Sequence, residues 1–326
     1  MPRGHIDLPS SAPPLLLSKA QIYDALARVD ASPEGRARVL QMETRFRTKI
    51  DTHLANLPAA SAQFQKFSTS PFVLLFHSKR QGYDRVSQVE RDIIPAKVFS
   101  SMETSAGRMV EEVVLPVYGW EVVPSQMHSP ESVLDGRKTE GDDFLGATLK
   151  SGPRCLNDEM AQQIGRDVVA NIGAWANNHG TNKVDFTYGV LYGTKRQSNK
   201  KDWHILRSIA EVLPAHTAIA TSHRQAWCIG YNLDGLEVTA TVRIGIDWWT
   251  YLGGKDAWVE MCLALIRACI PAAPARVDTP QYVISDLASI LDTSGLPQGF
   301  NVAIIQRSQI EWLLFLARHF ADGLVQ

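Results

Sequence analysis

Cysteine is scarce in this sequence, and the few cysteines present never stand at metal-binding spacing. The four residues Cys155, Cys228, Cys262 and Cys269 contain no CxxC pair, and the nine histidines form neither an HxxxH nor an HExxH motif. A structural or catalytic zinc site is therefore not expected. Unpaired cysteines of this kind suit a reducing compartment, so we expect a cytoplasmic protein.

Long apolar runs are also missing. No stretch of about 18 apolar residues occurs, and no apolar signal segment follows Met1, so membrane insertion and export are not expected. No glycine-rich loop ends in the GKS or GKT of nucleotide-binding proteins, which argues against a nucleotide cofactor. The formal net charge is -1. Any contact with nucleic acid must therefore come from local basic clusters.

The remaining composition is typical of a soluble globular protein. The 326 residues are 45% hydrophobic and 21% charged, enough for one large domain or two modest ones. Residues 1–95 predict a mainly helical N-terminal region, which is helical from Ser18, a candidate N-cap, to about Ala60. The apolar run at 72–77 is of uncertain type. Residues 96–326 predict a mixed α/β domain.

Apolar periodicity predicts the elements of this second domain. A helix is expected from Ser100 to Leu115, capped by Ser100 or Ser101 and ended by Pro116. Strands are predicted at 118–124, 132–135, 144–150 and 184–193, within 216–232, and at 236–249. Further helices are predicted at 157–178, 255–270 and 308–324.

The pair that points to chemistry is Asp135 and Lys150. Asp135 would end one predicted strand and Lys150 the next, so that a hairpin with the polar loop GRKTEGDD brings both side chains to one corner. Hard Mg²⁺ prefers carboxylate oxygens and keeps several waters, so one or two acids suffice as anchors. A neighbouring lysine can orient or deprotonate the attacking water and stabilise the charge of a phosphoryl transition state.

A second acid is needed, because Thr148 stands two residues before Lys150 and a hydroxyl does not supply a carboxylate charge. Glu159, on the following helix, is one candidate. Glu111 or Glu112, on the helix before the first strand, are others. Asp142 and Asp143 are alternatives to Asp135, although acids in such a turn are more often structural.

The segment SVLDGRKTEGDDFLGATLKSGPR resembles the catalytic hairpin of PD-(D/E)XK endonucleases. It is similar to the branch that cuts around CCGG cores, where Ser or Thr stands two before the lysine and a glutamate on the next helix completes the metal site. FHSKRQGYDRVSQVERDIIPAKVFSSMETSAGRMVEEVVLPVYGWEV further resembles the XmaI/XcyI-type enzymes, which cut within CCCGGG. The resemblance implies an α/β fold with a mixed central sheet flanked by helices. It also implies a homodimeric type II restriction endonuclease that uses Mg²⁺ on palindromic double-stranded DNA.

The same resemblance suggests DNA-reading residues. Arg154, four after Lys150, would read guanine, which suits the bidentate geometry of arginine. Asp158 or Glu159 would accept from cytosine N4, or Glu159 would bind the metal. The branch usually has its displaced glutamate 13 or 14 residues after the lysine, where Gln163 and Ile164 stand here.

Basic residues elsewhere are candidates for phosphate or base contact. After an apolar strand, Arg224 or Gln225 either reads base edges or belongs to a plain loop. The run TKRQSNKKDWH carries four more cations, which either contact phosphate or form a solvated basic turn: Lys195, Arg196, Lys200 and Lys201.

Two rival functions share these residues. The same fold serves nucleases that act on DNA structure in repair or recombination. The second rival is a DNA-binding protein without catalysis, in which Asp135 and Lys150 are ordinary surface residues. The Thr148 departure is what keeps the second rival open.

Overall fold

The computed structural model describes residues 17–58, 63, 66, 70–124, 129–199, 201–213, 219–223, 226–270, 304–321 and 324–325. The helices within these ranges are α1 Lys19–Ala31, α2 Pro33–Ala55, α3 Pro71–Gln81, α4 Glu90–Val114, α5 Asp158–His179, α6 Trp203–Val212, α7 Ile246–Gly253, α8 Ala257–Cys269 and α9 Arg307–Phe320. The strands are β1 Leu17–Ser18, β2 Glu121–Val122, β3 Gly136–Glu140, β4 Asp143–Lys150, β5 Lys183–Val190, β6 Ile219–His223, β7 Ala226–Leu233, β8 Leu236–Ile244 and β9 Leu324–Val325. None of these helices combines the length and apolar character needed to cross a membrane.

Seven strands form one mixed sheet in the order β2-β3-β4-β5-β8-β7-β6. The three central strands β4, β5 and β8 are parallel, and the remaining pairs are antiparallel. Helices cover both faces, which is the arrangement that parallel strands need to bury their two sides. The predicted mixed α/β class is confirmed.

The alternation of side chains along β5 shows how the two faces are filled. Val184, Phe186 and Tyr188 are buried in a core that includes residues of α5 and α6. The other face of β5 holds Gly189, where a Cβ would lie 2.7 Å from Trp248 of α7. The second core joins α7 with α1, α2, α8 and α9. The sheet therefore separates two hydrophobic cores.

Two predicted strands are shorter in the structure. The predicted β segment 236–249 stops at Ile244, because Gly245 adopts a positive φ and the chain turns into α7. Trp248 and Trp249 are thus buried helical core residues. The strand predicted at 118–124 shortens to Glu121–Val122. The uncertain run 72–77 is helical, within α3.

The N-terminal helices were predicted in part. Ser18 caps α1, accepting from the Gln21 N–H at 3.2 Å, as expected. The helix predicted to start at Ser100 or Ser101 instead begins at Glu90. Pro95 lies inside α4 and removes one backbone donor without ending the helix. The boundary drawn between residues 95 and 96 therefore falls inside α4, and the division into two regions stays a prediction.

The hairpin that carries Asp135 is shifted from its predicted register. Residues 130–133 form a 3-10 helix rather than a strand, and β3 occupies Gly136–Glu140, inside the predicted polar loop. The turn to β4 is tighter than expected, with Gly141 at a positive φ of 63°. Asp135 therefore precedes β3 instead of ending a strand, and its N–H donates to the Ala147 carbonyl at 2.8 Å.

A buried ion pair fastens α2 to α8. Glu260 is 1% exposed and accepts two hydrogen bonds from the Arg38 guanidinium, at 2.6 and 2.7 Å. The Tyr118 hydroxyl donates to the same carboxylate at 2.6 Å. A carboxylate at this depth is tolerated only while its partners remain.

Arg38→Met should therefore destabilise the protein by about 3–5 kcal/mol, since it leaves Glu260 buried without its cation. Urea unfolding of wild type and variant measures the difference. Arg47→Met is the matched control on the same helix, because Arg47 is half-exposed in its pair with Glu43 and such pairs contribute about 0–1 kcal/mol. Equal unfolding midpoints for the two variants would contradict the assigned role of Arg38.

Candidate active site

A cavity of about 670 Å³ opens where α4 passes the start of β3 and the end of β4. Its lining is rich in charge. Three cations and three carboxylates line it: Lys49, Arg108, Lys150, Glu111, Glu112 and Asp135. The two residues singled out from the sequence, Asp135 and Lys150, therefore share one cavity.

The backbone of β4 holds Asp135 in place. β3 begins at Gly136, opposite Ala147, so the N–H of Leu149 lies beyond the end of the strand pairing. The Asp135 carboxylate accepts from that N–H at 2.6 Å. Burial raises the pKa of Asp135, while the Leu149 N–H and the charges of Lys150 and Arg108 oppose the rise.

Lys150 is the last residue of β4, and its Nζ donates to the carbonyl of Leu149 at 3.0 Å. An ammonium has three N–H donors, so two are left for a ligand or a water in the cavity. The same short segment of β4 thus anchors both the acid and the amine.

Glu111, on the last turns of α4, is the carboxylate that joins this pair. Burial and the nearby charge of Asp135 raise the pKa of Glu111 to about 8, and Lys150 opposes that rise. Its neighbour Glu112 differs. Glu112 accepts from Arg108 Nε at 2.8 Å and pairs with Lys49, and these cations lower its pKa.

The donor set fits a hard divalent cation with two protein anchors. Asp135 and Glu111 line the same cavity and burial raises the pKa of each, so a cation bound to both carboxylates would favour their charged forms. Within the residues that the structure describes, no cluster of three or more His, Cys, Asp or Glu side chains can hold a metal. Mg²⁺ retains several waters and needs only one or two carboxylates.

The other acidic candidates lie elsewhere. Glu159 is exposed on the first turn of α5 and does not line the cavity. Asp143 of β4 pairs with Lys183 at 2.8 Å. Thr148 is buried, and its hydroxyl donates to the Val133 carbonyl at 2.6 Å, which gives it a structural contact.

Two predicted base readers sit on the surface beyond β4. Arg154 is exposed, and its Nε donates to the Gln197 carbonyl at 2.9 Å. Asp158 forms an ion pair with Lys201, which lowers its pKa. Asp158 and Lys201, which were both predicted to bind DNA, are therefore paired with each other.

The basic run after β5 is partly engaged within the protein. The Nζ of Lys195 lies 4.7 Å from the centre of the Trp227 ring, a cation–π contact. Arg196 is exposed. Lys200 and Arg224 lie outside the described residues.

Sequence reasoning missed two cations of the cavity. Arg108 was discoverable, because it stands three residues before Glu111 and four before Glu112 on one helix. Lys49 carries no such signal, since α2 approaches α4 only through the tertiary fold.

No protein-family model matches this chain, and a search of curated proteins finds no significant match.

The electrostatics of the two adjacent glutamates predict opposite mutational effects in the absence of divalent cations. The pKa of Glu111 rises from 4.5 to about 8 on folding, so the folded state loses stability as pH rises through that window. Glu111→Gln should therefore stabilise the protein at pH 8.5 by on the order of 2 kcal/mol, with the gain shrinking toward pH 5.

Glu112→Gln is the control, since the pKa of Glu112 is lowered and its ion pairs stabilise the fold above pH 4.5. That variant should melt at a lower temperature than wild type at pH 8.5. Thermal melts in EDTA at both pH values give the answer, and a destabilised Glu111→Gln at pH 8.5 would count against the electrostatic account.

Proposed function

We propose that this chain is a Mg²⁺-dependent DNA endonuclease that hydrolyses phosphodiester bonds. The observation that supports it is the meeting of Asp135, Glu111 and Lys150 in one charged cavity. Two acids and an amine are the groups that metal-assisted phosphodiester hydrolysis needs. The sequence resemblance to PD-(D/E)XK hairpins supports the same reaction through Asp135 and Lys150.

Each residue has a defined task in this proposal. Asp135 and Glu111 would hold Mg²⁺, which, when bound, neutralises phosphate charge and lowers the pKa of water. Lys150 positions the attacking water with its N–H donors and stabilises the charge that develops on the phosphoryl oxygens. The water oxygen bonds to phosphorus and releases a proton to solvent, the bond from phosphorus to O3′ breaks, and O3′ takes up a proton from solvent. The product carries a 5′-phosphate.

The finer part of the proposal is a type II restriction enzyme for a GC-rich palindrome such as CCCGGG. Arg154 supports it, because its exposed guanidinium lies four residues after Lys150 and, among the residues that the structure describes, donates through Nε to the Gln197 carbonyl. The two terminal nitrogens of the Arg154 guanidinium have the geometry to donate hydrogen bonds to guanine O6 and N7. A palindrome has twofold symmetry, so the active form would be a homodimer with one cavity for each strand.

Lys150→Ala should reduce the rate of plasmid cleavage by about 10²–10⁴-fold in Mg²⁺, because the water and the transition state lose their cation. Agarose gels of supercoiled plasmid over time measure it. Lys138→Ala is the matched control, since Lys138 lies on β3 of the same hairpin but pairs with Glu140 outside the cavity. A Lys150→Ala enzyme that cuts as fast as the Lys138→Ala enzyme would refute the assignment.

Digestion of unmethylated phage DNA with Mg²⁺ should give discrete fragments, because a restriction enzyme cleaves only where base contacts match. Sequencing the fragment ends shows whether they map to CCCGGG. A smear, or cutting confined to branched or nicked DNA, would instead identify a nuclease that recognises DNA structure.

A further inference from the structure

The cavity contains a second charged group that the hydrolytic residues do not use. Lys49 of α2 and Arg108 of α4 both pair with the single carboxylate of Glu112. The side chains of Lys49 and Arg108 are 40% and 74% exposed, whereas that of Glu112 is 27% exposed. The two cations therefore face solvent at the cavity rim, with the carboxylate behind them.

This group has a net positive charge, because two cations share one acid. It also lies close to the hydrolytic residues. Arg108 acts electrostatically on both Asp135 and Glu111, and it shares the cavity lining with Lys150. An anion held at Lys49 and Arg108 would thus sit beside the cluster of Asp135, Glu111 and Lys150.

The chemistry of the two cations matches a phosphate. Arginine offers a planar fork of N–H donors, and lysine a compact point charge, and the two are standard partners of phosphate oxygens. Glu112 holds both side chains in the absence of ligand, which reduces the freedom lost when an anion binds. It also competes with that anion for the same donors.

Building on the proposed function, we propose that Lys49 and Arg108 form a subsite for a DNA backbone phosphate next to the one that is cleaved. Glu112 positions the two cations. The subsite makes helix α2 part of the DNA-binding surface.

Fluorescence anisotropy of a labelled 30-base-pair duplex, in EDTA and at several NaCl concentrations, tests the subsite without cleavage. Each cation that neutralises a phosphate adds about one to the slope of log affinity against log salt. Lys49→Gln and Arg108→Gln should each lower that slope by about one and weaken binding. Glu112→Gln should strengthen binding, because removing a negative charge that competes with the phosphate for both cations outweighs the loss of their positioning. A merely structural residue would not change affinity in that direction.

Arg91→Gln is the matched control, since Arg91 lies on α4 about 25 Å before Arg108 at 1.5 Å per residue and contacts Tyr83 instead. It should leave the slope unchanged. An unchanged slope in both cavity variants, from a wild type that binds and cuts DNA, overturns the subsite alone. A wild type that neither binds nor cuts any DNA overturns the proposed function as well. Thermal melts confirm that each variant is folded.

Discussion

The hydrogen bond from the Leu149 N–H to the Asp135 carboxylate is the contact on which the site depends. It forms because β3 starts one residue after Asp135, which leaves a backbone donor of β4 to be satisfied by a side chain. β4 itself is fixed by parallel pairing with β5 along its whole length, from Asp143 to Lys150. A rigid central strand thus determines where both the acid and the amine lie, and backbone geometry of this kind is more precise than a loop can offer.

Charge balance separates the two glutamates that meet at the cavity. Glu111 and Glu112 are consecutive on α4, so their side chains leave the helix about 100° apart. Glu112 pairs with Lys49 and Arg108, and these cations lower its pKa. The pKa of Glu111 is raised instead, by burial and by the charge of Asp135. A fold that buries two neighbouring acids loses stability when both are charged, and such conflicts between local electrostatics and global fold are expected at functional sites.

The sequence predicted the parts of the fold that periodicity controls. The helices α5, α8 and α9 have apolar residues at spacings of three and four, and strands β4 and β5 are rich in apolar residues, so their positions were predicted to within a few residues. β3 was not, because GRKTE is polar and becomes a strand only through its pairing with β4. For the site, Asp135 and Lys150 were singled out from residue type and spacing, whereas Glu111 was one of three acids left open, with Glu112 and Glu159. Lys49 was not among the candidates, because it reaches the cavity through the packing of α2 near α4, and sequence separation gives no sign of that.

Helix α2 links the stability of the fold to the geometry of the cavity. At Arg38 it holds the buried Glu260 of α8, and eleven residues later, about three turns on, it presents Lys49 to Glu112 of α4. Because α4 also carries Glu111, the distance between Glu111 and Asp135 depends on how α2, α4 and α8 pack together. Helix α2 therefore forms part of the cavity wall through Lys49. A substitution that weakens the packing of α2 against α8 would also displace the side chains of α4 that face β4. The predicted boundary at residue 95 falls inside α4, the helix that carries Glu111 near its C-terminal end.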